Sequence, residues 1–405
     1  MSTVIELDVA PDAESPAPPR TVLPHRQPVP PPGPVRTLGG MPRGEVANLV
    51  GAAASALATG LLLFGRLTPL RGNLGFVVVT YGVFLVTYAV LVSLTEERPA
   101  LVDRVMAVLL TTAALLAGAA LSSVVLYTLW RGRTALSKPN LFTEDMSTAG
   151  PLDPLTMGGI SHAIVGSLII ISLALLLTVP LGLACAVFLN ETRSRAAQLV
   201  RTIVDAMTAL PSIVAGLFIF ATWVLIVGFE RSGLAAALAV SIMMLPIIIR
   251  SADVVLRLVP GNLREAALAL GAPQWRTVWH VVLPTARSGL ATSVILGVAR
   301  GVGETAPVLL TAGFTSTMNV NPLSGPMVSL PLATFEFVRS PQQTMVERGF
   351  ATAGVLMAVV LVLFAIARLL GGRPAGTVSA RQARRLAARS KRDAARIAAR
   401  REALA

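Results

Sequence analysis

Cysteine is almost missing from this chain. Its 405 residues include one, Cys185, inside an apolar run. No intrachain disulfide can therefore brace the fold, and cysteine usage leaves the redox compartment open. Histidine is scarce as well, with three residues, of which His162 and His280 stand isolated. No group of His, Cys, Asp and Glu has the spacing of a metal site. No glycine-rich Walker-type loop is present to cradle nucleotide phosphates. Any work done here draws its energy from elsewhere, and no cofactor is expected to bind the chain directly. Charged residues are thin, at 14%, and lopsided: 34 Lys and Arg face 21 Asp and Glu, for a net charge of +13. The start of the chain shows no cleavable-signal pattern, since the first hydrophobic run opens only near Ala47.

What is abundant is apolar surface. The hydrophobic share is 54% and the mean hydropathy is +0.71. That balance excludes an ordinary soluble protein and predicts an all-α polytopic membrane protein, because helices satisfy their own backbone in lipid. Eight runs are long enough to cross a bilayer at about 20 residues each. They cover 46–65, 74–94, 105–129, 161–189, 207–228, 233–256, 288–312 and 349–371. Residues 1–45 hold 11 of the 28 prolines and read as a disordered tail. From Arg373 onward ten Lys and Arg face two acids, so the stretch 373–405 carries +8 of the net charge. Beside a membrane span, attraction to anionic lipid headgroups is a simpler reading of that tail than nucleic-acid binding.

One stretch among the spans is not membrane-like. Residues 259–284 read as two short helices in one loop. Asn262 is a good N-cap with Glu265 at the N3 position, a capping-box arrangement. Gly271 suits the left-handed residue that ends a helix. Pro273 can open the second helix at its first position, where Trp275, Val278, Trp279 and Val282 share one face. Pro284 closes the unit as a short joint to the next span. Spacing alone fits either a docking element for a soluble partner or an amphipathic loop on the lipid surface.

Charges within the spans form a second group. Arg300 falls near the middle of the seventh run, and Glu304 follows four residues later, on the same helical face. A charge at bilayer depth costs about 2.5–3.5 kcal/mol on insertion scales, so such residues face protein or water. Gly297, Gly301 and Gly303 permit close approach, Thr305 adds a hydroxyl, and Pro307 is expected to loosen the helix. The chemistry fits a path for an oxyanion, matched by the guanidinium fork. It fits equally a buried ion pair that only fixes packing. Arg250 and Asp253 are three apart, close enough to pair, and pairing or snorkelling is expected of Arg250 over a substrate role, with Asp205 at the mouth of the fifth run. Ser212 follows Pro211, which frees a carbonyl beside the hydroxyl.

The same residues resemble a known family. Glu265-Ala266-Ala267, then Gly271, then Val281-x-Leu283-Pro284 follow the signature loop of ATP-binding-cassette importer permeases. Leu210 to Gly216, Leu245 to Arg250 and Val298 to Pro307 resemble the permeases of phosphate-specific importers in that class. The run Gly303-Glu304-Thr305-Ala306-Pro307 after Arg300 is the most specific part. The resemblance covers about residues 100–372. The chain departs from it at Ala252 and Asp253, where the family usually carries threonine and glutamate.

The resemblance implies a six-helix importer permease core over 100–372, plus an N-terminal two-helix hairpin over 46–95. It implies that 259–284 is a coupling loop meeting an ATPase through Glu265, Ala266, Ala267, Gly271 and Trp275. It implies a substrate path through Arg300, Glu304, Thr305, Arg250 and Ser212. The implied partners are a second permease subunit, an ATPase dimer that uses ATP, an extracytoplasmic phosphate-binding protein and membrane lipids, without nucleic acid. The chain itself is then a non-catalytic subunit in the cell membrane. With the loop in the cytoplasm, alternation places both termini inside. Of the 34 Lys and Arg, 23 fall on that side, 8 on the other and 3 within spans. Other readings keep the fold but change the cargo to another oxyanion or small solute, make the chain the sister permease, or make it a passive channel or scaffold.

Overall fold

The structure is a computed structural model that describes residues 43–67, 72–192 and 194–371, with 384–390, 392–393 and 396 near the C-terminus. The proline-rich tail expected over 1–45 and the basic tail expected over 373–405 lie almost wholly outside the described residues. Among the described residues every regular element is helical, as the membrane reading requires. The chain divides into two compact units, residues 1–115 and 116–405.

In the first unit, α1 (Arg43–Leu62) ends in a wider π-helical turn, Leu63–Leu67, and α2 (Asn73–Ser93) returns alongside it. Ala52, Tyr88 and Val92 form the hairpin's core, with Leu101 and Val105 from the start of α3 (Arg98–Leu136) packed on it. Arg104 pairs with both Glu45 and Glu96 there.

The second unit is built around α5 (Ser161–Glu191) and α8 (Gly233–Arg257). Small residues allow their approach: Ala235, Ala236, Ala237 and Ala239 of α8 are fully buried. Apolar surface gains little from leaving lipid, so close packing does the holding. Ile248 shows how. It fits where Gly182 of α5 and Gly297 of α11 (Leu283–Val302) have no side chain. A Cβ at Gly182 would stand 2.8 Å from Ile248, and one at Gly297 would stand 2.5 Å from it. Helix α14 (Gln343–Gly371) packs on α11, and a Cβ at Gly132 of α3 would meet the backbone of Ala351 at 2.6 Å.

Among the described residues seven helices are long and apolar enough to cross a membrane, and the expected run 207–228 is not one of them. In its place stands a broken pair, α6 (Arg195–Thr208) and α7 (Ser212–Ile219), the latter extended by a π-helical stretch to Ile226. The two halves bend by 107° at Pro211, which cannot continue a helix and leads α7 instead. The ends of the neighbouring helices show that the pair traverses the unit. Glu191, ending α5, bonds Arg264 just past α8, whereas Ser232, before α8, bonds the carbonyl of Thr311 at the opposite end.

One further expectation changes. Pro284 is no joint: the helix runs on from Gln274 to Val302. The π-helical turn Val278–Val282 just before it absorbs the missing N–H and the ring's clash with the preceding turn. Arg131 and Arg133, just past the expected run 105–129, continue α3, and Arg133 stacks over Trp130 at 5.3 Å. The piece from Met327 to Arg339 packs into the bundle beside the starts of α5 and α8. Leu330 donates its N–H to Ser167 Oγ at 2.6 Å, and α13 (Leu330–Val338) buries Leu330, Leu332 and Phe337.

The loop ends of this unit opposite Arg264 are also ordered. Asn140, which opens the short α4 (Asn140–Thr143), donates to the carbonyls of Leu155 and Gly158, and the buried Arg348 donates to that of Met157 at 2.6 Å. Asp145 accepts from Ser147 and from the N–H of Met318 at 3.0 Å, tying two distant loops together.

Candidate functional site

Arg300 stands in the last turn of α11, where a cation is favoured by the helix dipole. It is thus near the end of its own helix, while the adjoining Gly301 packs on Met244 and Val240, midway along α8. The chain breaks at Gly303–Thr305 and resumes as α12 (Ala306–Thr311), with Pro307 in its first turn. Glu304 lies in this break and folds back, so its Oε1 meets Arg300 Nε at 3.1 Å. The pair is lopsided. The Arg300 side chain is 50% exposed and that of Glu304 only 9%. The fork nitrogens of Arg300 take no hydrogen bond among the described residues, which leaves them open to an oxyanion. Behind Glu304 lies a cavity of about 20 Å³, also lined by Ser167 and Ser329. Thr305 is half-buried beside the pair and leads α12.

Ser212 begins α7, which runs parallel to α12: Gly216 abuts Pro307, and Arg231 abuts Gly313. One turn before Gly216, Ser212 stands level with the break that holds Glu304. Arg250 is not brought to this place. Ile248 faces Gly297, and two residues on a helix turn the side chain to the far side. Arg250 binds Asp205 of α6, with Nε at 3.0 Å from Oδ1. The Arg250–Asp253 pair that the spacing allows does not form. Asp253 pairs with Arg257, one turn on, at 2.8 Å, and more loosely with Arg201.

The loop stretch forms α9 (Gly261–Ala269) and α10 (Gln274–Thr277), the latter continuous with α11. Gly271 adopts φ +82, as its position predicts. The N–H of Gly271 reaches the carbonyl of Leu268, and that of Ala272 the carbonyl of Ala267, a Schellman closure. The capping box does not form. Helix α9 starts two residues early, after Pro260, and no side chain caps it. Asn262 is therefore already inside the helix. Pro273 likewise precedes α10 as its N-cap. Glu265 and Ala266 are exposed and Ala267 half-buried. Trp275 and Trp279 are 63% and 67% exposed, while Val282 is buried, so the expected apolar face divides between outside and core.

Sequence reasoning missed what holds this loop. Arg264 binds Glu191 at 2.9 Å and Asn190 Oδ1 at 2.7 Å, and Gln274 reaches Glu191 at 3.4 Å. The signal was available: Asn190-Glu191 is a polar pair at the end of an apolar run, with an arginine inside the loop it must meet.

Comparison with known proteins gives related sequences. The family described as "Binding-protein-dependent transport system inner membrane component" matches residues 178–374. The chain is 39% identical over 234 residues to "Phosphate transport system permease protein PstA 1" of Mycobacterium tuberculosis, covering 58% of this chain and 76% of that one. It is 39% identical over 248 residues to "Phosphate transport system permease protein PstA" of Pasteurella multocida, covering 60% and 86%. An inward-facing structure of the MetNI methionine ABC transporter aligns with a TM-score of 0.39 and 18% identity, over 53% of this chain and 91% of that one.

Proposed function

The chain belongs to the family of phosphate transport system permease proteins PstA, and from that premise we propose that it is a transmembrane permease subunit of an ATP-driven phosphate importer. The observation that carries this is the identity of 39% to such permeases. The family match, residues 178–374, takes in both the loop around Glu265 and the break around Glu304.

In this reading the permease domain is 100–372 and 46–95 is an added hairpin. Arg300 supplies the positive field of the path, with Thr305 and Ser212 beside it. Glu304 tempers the arginine so that phosphate is released as well as held. Arg250 belongs to the cytoplasmic part of the path, braced by Asp205. Glu265, Ala266, Ala267, Gly271 and Trp275 form the surface that meets an ATPase subunit. The chain itself catalyses nothing and binds no cofactor; ATP is used by the partner ATPase dimer. A second permease subunit completes the pore, and an extracytoplasmic phosphate-binding protein delivers the cargo. The loop lies in the cytoplasm with both termini inside. Seven spanning helices among the described residues, with the bent α6–α7 pair counted as an eighth crossing, and the bias of Lys and Arg support that orientation.

The test is uptake of labelled phosphate by the assembled transporter. Uptake should collapse in Arg300→Gln with assembly retained, and should stop when the ATPase is disabled. Unimpaired uptake in Arg300→Gln would sink the role given to that residue. Competition by sulfate or molybdate would point to a different cargo.

A further inference from the structure

Away from Arg300, the structure holds a second place built for an anion. A cavity of about 590 Å³ opens where α5 ends, α6 begins, α8 ends and α9 begins. Arg201, Arg257 and Arg264 line it, and among the described residues no carboxylate does. Their acidic partners stand behind them and are too few. Arg264 takes Glu191 at 2.9 Å, Arg257 takes Asp253 at 2.8 Å, and Arg201 is left 4.0 Å from that same Asp253 oxygen. Three guanidinium groups thus share two carboxylates. Arg201 makes up part of the deficit with the carbonyl of Leu189, at 3.3 Å.

The backbone adds to the positive field. Two helices start at this cavity, α6 at Ser194 and α9 at Gly261. Neither has an acidic residue in its first turn, and α9 has no side-chain cap at all. Helix N-termini carry partial positive charge and unsatisfied N–H groups, and an acid in the first turn is the usual remedy. Here both are left without one. Neutral donors point the same way. Asn190 spends its Oδ1 on Arg264, and Ser194 Oγ accepts from the N–H of Ala197. The amide N–H of Asn190 and the hydroxyl proton of Ser194 therefore remain available, as does the Gln198 amide.

We propose that this cavity binds a phosphate-bearing anion, through Arg201, Arg257 and the starts of α6 and α9. Guanidinium forks and helix N-termini share a preference for tetrahedral oxyanions. The group comes from one of two sources. One is free inorganic phosphate. The other is the headgroup of an anionic phospholipid, since the cavity sits where four helix ends leave the apolar part of the chain. A bound anion bridges α6 to α9 and so fastens the loop that begins at Gly261. The site is separate from Arg300 and does not depend on which cargo the chain carries.

The test uses the purified full chain in nanodiscs and reads amide exchange at 194–201 and 259–264. In nanodiscs of phosphatidylcholine alone, inorganic phosphate is titrated. In a second set containing phosphatidylglycerol, exchange is read without phosphate. Slowed exchange on phosphate addition assigns the free anion. Slowed exchange with phosphatidylglycerol, and no further change on adding phosphate, assigns the lipid. Either effect should weaken about tenfold in Gln198→Glu, which sets a carboxylate in the cavity without removing either partner of an existing ion pair. The paired change Arg201→Gln, Arg257→Gln should abolish it. The effect should persist in Lys138→Gln, which shifts the net charge by one unit as Gln198→Glu does but at the other end of the unit, and in Arg300→Gln. No slowing in either set, or equal slowing in Gln198→Glu, would overturn the proposal.

Discussion

Glu304 is the buried half of an ion pair whose arginine is half-exposed. Removing the arginine strands a carboxylate away from water, and a buried charge without its partner costs about 3–5 kcal/mol, less here because Arg300 is screened by solvent. Arg300→Gln should therefore lose stability as well as transport. Adding Glu304→Gln should restore the thermal midpoint and leave uptake abolished. Recovery of uptake in the double variant would make the pair a packing device only. Asp145 gives a pH dependence. Its carboxyl is held below the usual carboxylate range, first by the Ser147 hydroxyl and backbone, then by the N–H of Met318. A depressed folded value means that its stabilising effect is present above the ordinary aspartate range and is lost as pH falls through the lowered value. Exchange of the Met318 amide should accelerate over that acid window, and Asp145→Asn should show the fast rate at neutral pH. The contrast between pairs shows what sequence can carry at this scale. Arg300 and Glu304 are one helical turn apart, so their meeting was legible. Arg250 found Asp205, 45 residues away, because that acid sits on a helix folded against α8. Asp253 was claimed by Arg257, a full turn on, over Arg250 at three.

At the scale of elements, glycine and proline carried most of the readable information, and proline misled where the chain could absorb it. Gly271 ended α9 as its neighbours required, because a left-handed residue closes the last turn at no steric cost. Gly271→Ala should cost about 1–2 kcal/mol locally and speed exchange of the Ala272 amide. Gly261→Ala meets open space at an ordinary φ and should be harmless. A loop equally protected in both variants would remove the closure from the account. Pro211 and Pro284 look alike on paper, each in an apolar context. One yields a bend of 107°, the other a turn of wider helix in an unbroken rod. The difference lies in the tertiary surroundings. Residues 277 and 282 are buried in the bundle and hold the second helix straight, whereas α6 is held sideways by Arg250–Asp205.

For the whole molecule, hydropathy named the crossings because lipid demands long apolar helices, whatever they pack against. It was blind to the break in the α6–α7 pair, since composition does not record direction. The single cysteine makes the topology testable. In a Cys185→Ala background, Leu152→Cys and Leu270→Cys place thiols at positions 80% and 89% exposed, at opposite ends of the second unit. An impermeant maleimide should label the first from outside intact cells and the second only after lysis. Labelling of both from one side would rule out the orientation proposed above.

The unbroken helix from Gln274 to Val302 has a consequence in time. Its 29 residues span about 43 Å, at 1.5 Å per residue. A tilt of about 5° started at one end would move the other by about 4 Å at that length. A flexible link at Pro284 would have let the two ends relax separately, with a lag and a populated intermediate between them. A rod gives them one relaxation rate. What happens around Trp275 and what happens around Arg300 are then one event on the clock.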